Sequence, residues 1–264
     1  MDLQLAGKRA IVSGGSRGIG LAIARALTAE GVDVVISARG EDVADVASTL
    51  AAQSGRRVVG IRADTTDDGS VRAMVEQAAR ELGGVDILIN TAATPWTKDK
   101  NVATIDTTDE LMRGEFESKV LGYLRTARAA APYMTAQGWG RIINISGLGA
   151  RNAGNATQTV RNISVSAITK NLADELGPQG VNVTVVHPGL TRTEALIGSL
   201  ASQSDATGVP VEEIEKSLAQ NSVRRIIDAS EVADVVAFLA SPRSIAITGD
   251  AIAVGGGVPG PIYY

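Results

Sequence analysis

Seven short apolar runs recur along this chain, each parted from the next by a stretch long enough for a helix. The runs are RAIVSG (9–14), VDVVISA (32–38), RVVGIRAD (57–64), DILIN (86–90), RIINIS (141–146), VNVTVVHPG (181–189) and AIAVGGG (251–257). Several carry apolar residues at consecutive positions, which suits strands buried on both faces. Helical patterns fall between them, over 18–30, 41–53, 69–82, 108–136, 158–177 and 230–240. Strands joined by helix-length crossovers form a parallel sheet, and the right-handedness of such crossovers puts helices on both of its faces. The expectation is an α/β fold, a doubly wound parallel sheet of about seven strands. No linker, repeat or low-complexity segment divides the chain, so residues 1–264 read as a single domain.

Two stretches depart from this rhythm. Residues 91–107 (TAATPWTKDKNVATIDT) are polar, and residues 190–222 hold short helical fragments broken by Gly and Pro. Both follow strands, and ligands in such sheets bind beyond the carboxyl ends of strands. They are expected to wall a substrate site, with 190–222 as its lid.

Composition removes several classes of function. The chain has no cysteine, and His187 is its one histidine, so neither a disulfide, a thiolate nucleophile nor a multi-histidine metal site can form. The net charge is −4 and no Lys/Arg run occurs, which argues against nucleic acid as a partner. No apolar run approaches membrane-spanning length, and the N-terminus reads as a strand rather than a leader. A cytoplasmic protein with no metal is expected.

The segment VSGGSRGIGLAIARAL joins the first strand to the first helix, with Gly14, Gly18 and Gly20 spaced G-x-x-x-G-x-G. Glycine permits the sharp turn and a close approach of ligand to backbone, and the helix N-terminus then offers unpaired N–H groups and a positive dipole end to a phosphate. After a first apolar strand this pattern points to dinucleotide binding in a Rossmann-type fold. The second strand ends in Ser37, Ala38 and Arg39, where an acid would hold an unphosphorylated ribose. Arg39 and Arg17 supply two guanidinium groups suited to a 2′-phosphate, which favours NADP(H) over NAD(H). Glu41 and Asp42 keep NAD(H) open.

These motifs resemble those of the short-chain dehydrogenase/reductase family over nearly the whole chain. The glycine loop is similar to that family's Thr-Gly-x-x-x-Gly-x-Gly, with Ser13 for Thr; NTAA (90–93) stands for Asn-Asn-Ala-Gly; and HPGLTRT matches Pro-Gly-x-x-x-Thr. The resemblance implies cofactor contacts from Gly14, Ser16, Arg17, Gly18, Ile19 and Gly20 in the loop. It adds Arg39, Asp64, Thr65, Asn90, Ala92, Pro188, Gly189 and Thr193 further on. It also implies hydride transfer to or from a carbonyl or alcohol of a small-molecule substrate, and a homotetramer or dimer paired through the helix around FESKVLGYL and the next.

The family's usual Asn-Ser-Tyr-Lys set is not retained. Lys119 falls on the asparagine, Gly147 on the serine, Gln158 on the tyrosine and Asn162 on the lysine. The four tyrosines are at 123, 133, 263 and 264, and Lys170 is the one lysine between 147 and 180. Ser146 and Lys119 are the remaining candidates for moving a proton, with Tyr263 or Tyr264 reaching a neighbouring subunit as a further hypothesis. The alternative is a non-catalytic NADP(H)-binding protein, a sensor or partner subunit. Halohydrin dehalogenases share the fold with Ser-Tyr-Arg, and Arg161 sits near the lysine position, but those enzymes abandon the glycine loop kept here. His187 is expected to be structural, Trp96 to line the pocket and Trp139 to sit on a surface turn.

Overall fold

A computed structural model describes residues 1–94 and 102–259. Seven parallel strands form the central sheet: β1 (Arg9–Ser13), β2 (Asp33–Ala38), β3 (Val58–Arg62), β4 (Ile87–Asn90), β5 (Gly140–Ile145), β6 (Val181–Pro188) and β9 (Ala251–Val254), in the order β3-β2-β1-β4-β5-β6-β9. Order reverses between β1 and β4, the switch point at which ligands bind in doubly wound sheets. A separate two-stranded ladder, β7 (Thr191–Arg192) with β8 (Ile227–Asp228), ties the segment after β6 to the last helix. The expected strand count holds for the main sheet; the small ladder was not foreseen.

Helices α1 (Gly18–Ala29) and α9 (Ala229–Ala240) cover one face and α3 (Asp68–Leu82), α5 (Gly122–Ala136) and α6 (Ala156–Leu176) the other, with α2 (Val43–Ser54) packed on β3 at the edge. Two apolar layers result. One joins Val12, Ile36 and Ile89 to Ile23, Leu27 and Val236; the other joins Ile11, Val35 and Leu88 to Met74, Ala127 and Ala130. Alternate strand residues enter opposite layers, as the pleat requires. The small residues of α5 let it lie close against the sheet, consistent with a core nearly free of aromatics.

The helix expected over 108–136 is three pieces: α4 (Asp109–Glu115), a π-helical turn over Phe116–Leu121, and α5. A π turn holds one more residue than an α turn and interrupts the side-chain progression along the helix. Residues 190–222 fold as β7, α7 (Glu194–Thr207) and α8 (Val211–Leu218). Trp139 departs from expectation: it is half-buried, with the Lys8 ammonium 3.9 Å and the Arg141 guanidinium 4.8 Å from its ring centre. Cations favour the electron-rich ring face, so this tryptophan packs between the core and two cations rather than lying open on a turn. No helix among the described residues is long and apolar enough to cross a membrane.

Candidate functional site

Beyond the carboxyl ends of β1, β2, β4 and β5 lies a cleft of about 450 Å³. Its near wall is the glycine turn. Gly14 has φ +74°, and a Cβ there would stand 2.7 Å from the Ala92 backbone nitrogen; a Cβ at Gly20 would collide with the Gly14 carbonyl oxygen. The turn therefore has no room for a side chain at either position, and its backbone faces the cleft bare. Thr91 locks it further, its hydroxyl donating to the carbonyl oxygens of Ser13 (2.6 Å) and Gly14 (3.2 Å).

The amide of Gly18 opens α1, and it donates to the Glu194 carboxylate at 3.0 Å. An anion thus sits on the helix N-terminus, where the dipole and unpaired N–H groups favour one. Neither Glu194 nor Thr91 was singled out in the sequence. Glu194 directly follows Thr193, whose hydroxyl caps α7 by accepting from the Leu196 N–H, so its position beside a proposed contact was the available signal.

Of the residues expected to touch a cofactor, Gly14, Ser16, Arg17, Ile19, Gly20, Arg39, Asp64, Thr65, Ala92 and Thr193 line this one cleft. Arg17 and Arg39 are exposed at its rim. Burial pushes the Asp64 carboxyl up, but hydrogen bonds from the Thr66 amide and hydroxyl and the charge of Arg39 outweigh it and hold it below the usual carboxylate range. Asn90 lies beneath the cleft. Its Oδ1 accepts from the Ser13 (3.2 Å) and Thr126 (2.7 Å) hydroxyls, and its Nδ2 donates to Asn144, whose own amide donates to Thr169. That row of buried polar groups across β1, β4 and β5 is fully hydrogen-bonded, as burial demands. Pro188, the last residue of β6, and Gly189 after it lie outside the cleft lining, and Gly18 contributes its amide from just beside it.

The far end of the cleft holds Thr94, Ser118, Lys119 and Ser146. The π turn brings Lys119 to within 2.9 Å of the Asn162 Oδ1 and 3.0 Å of the Ser146 carbonyl, to both of which its Nζ donates. The Ser146 hydroxyl donates to the Asn162 carbonyl at 3.0 Å. Burial is the main cause that pushes the Lys119 pKa down to about 7; the Arg161 cation adds to the fall and the Glu115 carboxylate opposes it. Arg161 itself is buried in an ion pair with Glu115 from α4. Gln158 and Asn162, one turn apart on α6, face the Gly147–Gly149 loop: an added Cβ would stand 3.3 Å from Gln158 at Gly149 and 3.2 Å from Asn162 at Gly147.

Two tyrosines lie among the described residues. Tyr123 is buried with its hydroxyl donating to the Ile145 carbonyl at 2.9 Å, and burial raises its pKa; Tyr133 packs on the outer core. His187 is buried, its Nδ1 accepting from the Gly147 amide and its Nε2 lying 3.2 Å from the Ser166 hydroxyl. Burial and the nearby Arg151 charge push it down to about 4, so it is a neutral structural residue, as expected. Trp96, Tyr263 and Tyr264 lie outside the described residues.

Residues 14–259 match the protein family described as Enoyl-(Acyl carrier protein) reductase. The short-chain reductase protein NovJ of Streptomyces niveus is 35% identical over 95% of this chain and 93% of its own length. The 3-oxoacyl-[acyl-carrier-protein] reductase FabG of Vibrio cholerae is 33% identical over 97% of this chain and 99% of its own. The chain belongs to the short-chain dehydrogenase/reductase family. Among solved structures, L-sorbose reductase from Gluconobacter frateurii, complexed with NADPH and L-sorbose, superposes with a TM-score of 0.93 at 30% identity, covering 99% of this chain and 100% of that one. A variant actinorhodin polyketide ketoreductase with NADPH gives 0.85 at 32% identity over 95% of this chain and 97% of that one. The resemblance read from the motifs therefore extends to the whole fold, and the neighbours are NADPH-bound reductases.

Proposed function

We propose that this short-chain dehydrogenase/reductase uses NADP(H) to interconvert a carbonyl and a hydroxyl on a small molecule, with a proton-transfer apparatus that departs from the family's Ser-Tyr-Lys set. The observation that carries it is the single cleft joining the bare glycine turn, Arg17 and Arg39 to the Lys119–Ser146 end. The residues fit a dinucleotide: the Glu194 carboxylate already stands in for an anion at the Gly18 amide, and the NADPH complexes of the two structural neighbours support the same cofactor. Such a cofactor supplies the hydride. The chain's own part is to hold the pyrophosphate at the Gly18 amide, clamp a 2′-phosphate with Arg17 and Arg39, flank the nicotinamide with Thr193, and place the substrate oxygen near Lys119 and Ser146.

Segment 190–222 is read as the substrate lid. It touches the glycine turn through Glu194, and the Arg192 guanidinium braces it with Glu215 and Asp228, the latter at 3.2 Å. Val160 and Ile163 stand exposed on α6, which supports a homo-oligomer, dimer or tetramer, paired through that helix; sedimentation velocity tests it.

Titration with NADPH and NADH followed by a carbonyl screen tests the reading. NADPH should bind at least tenfold more tightly than NADH, and Arg39→Ala should remove most of that preference while leaving NADH binding within about twofold, since a charge-assisted hydrogen bond is worth about 1.5–3 kcal/mol. Failure of either nucleotide to bind sinks the proposal. Tight NADPH binding with no turnover across a broad carbonyl panel would instead select a non-catalytic sensor or partner subunit, the reading that Gly147, Gln158 and Asn162 keep open.

A further inference from the structure

We propose that Lys119 is the acid–base residue of this site: its ammonium gives a proton to the substrate oxygen as a carbonyl becomes a hydroxyl, and its amine takes that proton back in the reverse direction. This rests on the oxidoreductase reading above. The hydride bonds to the carbonyl carbon, the C=O π pair moves to oxygen, and oxygen forms its O–H bond with the lysine's proton. The products are an alcohol and the oxidised dinucleotide, and water reprotonates the amine.

Elimination carries the first half of the argument. Among the described residues lining the cleft, the ionisable ones are Arg17, Arg39, Asp42, Asp64 and Lys119. The first four lie with the glycine turn and the ends of β2 and β3, leaving Lys119 alone at the end that holds Thr94, Ser118 and Ser146. Thr94, Ser118 and Ser146 offer only alcohol hydroxyls, far weaker acids than an ammonium, and those of Ser118 and Ser146 donate to the Glu115 and Asn162 carbonyls; the Tyr123 hydroxyl, outside the cleft lining, donates to the Ile145 carbonyl. His187 accepts from the Gly147 amide behind the loop and bonds Ser166.

Geometry carries the second half. Lys119 is 4% exposed and anchored by two hydrogen bonds, to Ser146 and Asn162, which use two of the three protons of an ammonium. The third position, a proton in the charged form and a lone pair in the neutral one, is the one that can exchange. Among the described residues, the ionisable groups around it are Glu115 from α4, Arg161 from α6 and His187 from β6, and burial with Arg161 brings its titration to about pH 7. A group that titrates near the working pH is best suited to giving and taking a proton.

The sign follows from the charge. Reduction needs the ammonium, so its rate should fall as pH rises through about 7, and oxidation of the alcohol, which needs the amine, should rise over the same range. The test uses the full chain labelled at the Cε of its six lysines and read by carbon NMR. One of them should titrate near pH 7 in the wild type and vanish in Lys119→Met. Lys119→Arg keeps the charge and cannot titrate: it should lower kcat for the accepted carbonyl on the order of a hundredfold, lose the limb near pH 7, and hold NADPH within about threefold of wild type. Lys119→Gln, which keeps a donor to Asn162, guards against misfolding of the other two. A lysine spectrum with no titration below about pH 9, or an arginine variant that keeps both kcat and the pH profile, overturns the proposal. The lysine titration is read without dinucleotide, so it judges Lys119 even where NADPH binding, and with it the function proposed above, fails.

Discussion

Asn162 shows how tightly the far end of the cleft is composed. Its Oδ1 receives the Lys119 ammonium at 2.9 Å, so a second lysine at 162 would set two cations within reach of each other in a largely buried site. Asn162→Lys alone should therefore lose about 2 kcal/mol or more, the cost of a lost charged hydrogen bond plus like-charge repulsion. The double change Lys119→Asn with Asn162→Lys re-forms one ammonium and one amide across the same gap and should recover most of that loss. Urea midpoints for the four members of the cycle measure it, and additivity of the two single changes would refute the coupling. Much at this scale was legible. The glycines at 14 and 20, the arginines at 17 and 39, and Gln158 and Asn162 in place of a tyrosine and lysine could all be read as letters. That Lys119 bonds the residue in the lysine's place could not, because the pair is separated by 43 positions and meets only once two helices pack.

At the scale of elements, strands and helices followed from apolar runs and their spacing, and the boundaries moved by a few residues. The π turn was invisible, because one extra residue in a turn changes no residue type; it shifts which side chains face inward from 116 onward. Segment 190–222 was foreseen as a break in the strand–helix rhythm but not as a contact with the glycine turn. Its α7 begins at Glu194, and that carboxylate rests on the Gly18 amide at the mouth of α1. Any phosphate arriving there must displace it. Glu194→Gln keeps the size and weakens the anion's claim on the helix dipole by about 1 kcal/mol, so NADPH should bind about fivefold more tightly. Fluorescence titration reads this directly, and an unchanged or weaker affinity would mean that Glu194 holds α7 in place for binding rather than obstructing the phosphate. The buried Arg161–Glu115 pair links α6 to α4 in the same region. Glu115→Ala removes the carboxylate paired with a buried guanidinium and should cost about 3 kcal/mol in denaturant unfolding, more than Arg113→Ala on the exposed face of the same helix.

For the molecule as a whole, two buried bases, Lys119 and His187, divide the pH axis between them. The Lys119 pKa falls from 10.5 to about 7 on folding and that of His187 from 6.5 to about 4. In both cases the unfolded chain takes up a proton at a pH where the folded chain declines it, so stability present above the unfolded value is lost as pH falls toward the folded one. Lys119 spends nearly all of its loss above neutrality. His187 spends its loss below pH 6.5, and from pH 7 to 5 it amounts to about 2 kcal/mol. The carboxylates that folding strengthens, Asp64 and Asp86, sit below 3.8 and Glu231 at about 2, so their contribution goes only in stronger acid. The window between pH 7 and 5 therefore belongs chiefly to His187. His187→Gln removes the titration while keeping a side chain able to accept from the Gly147 amide and meet the Ser166 hydroxyl. Its urea midpoint should stay nearly level across that window while the wild type's declines, and the two should converge toward pH 5 even if the variant starts lower. Parallel curves would place the histidine's proton affinity near its ordinary value and remove the reason for reading it as a neutral wedge behind the Gly147 loop.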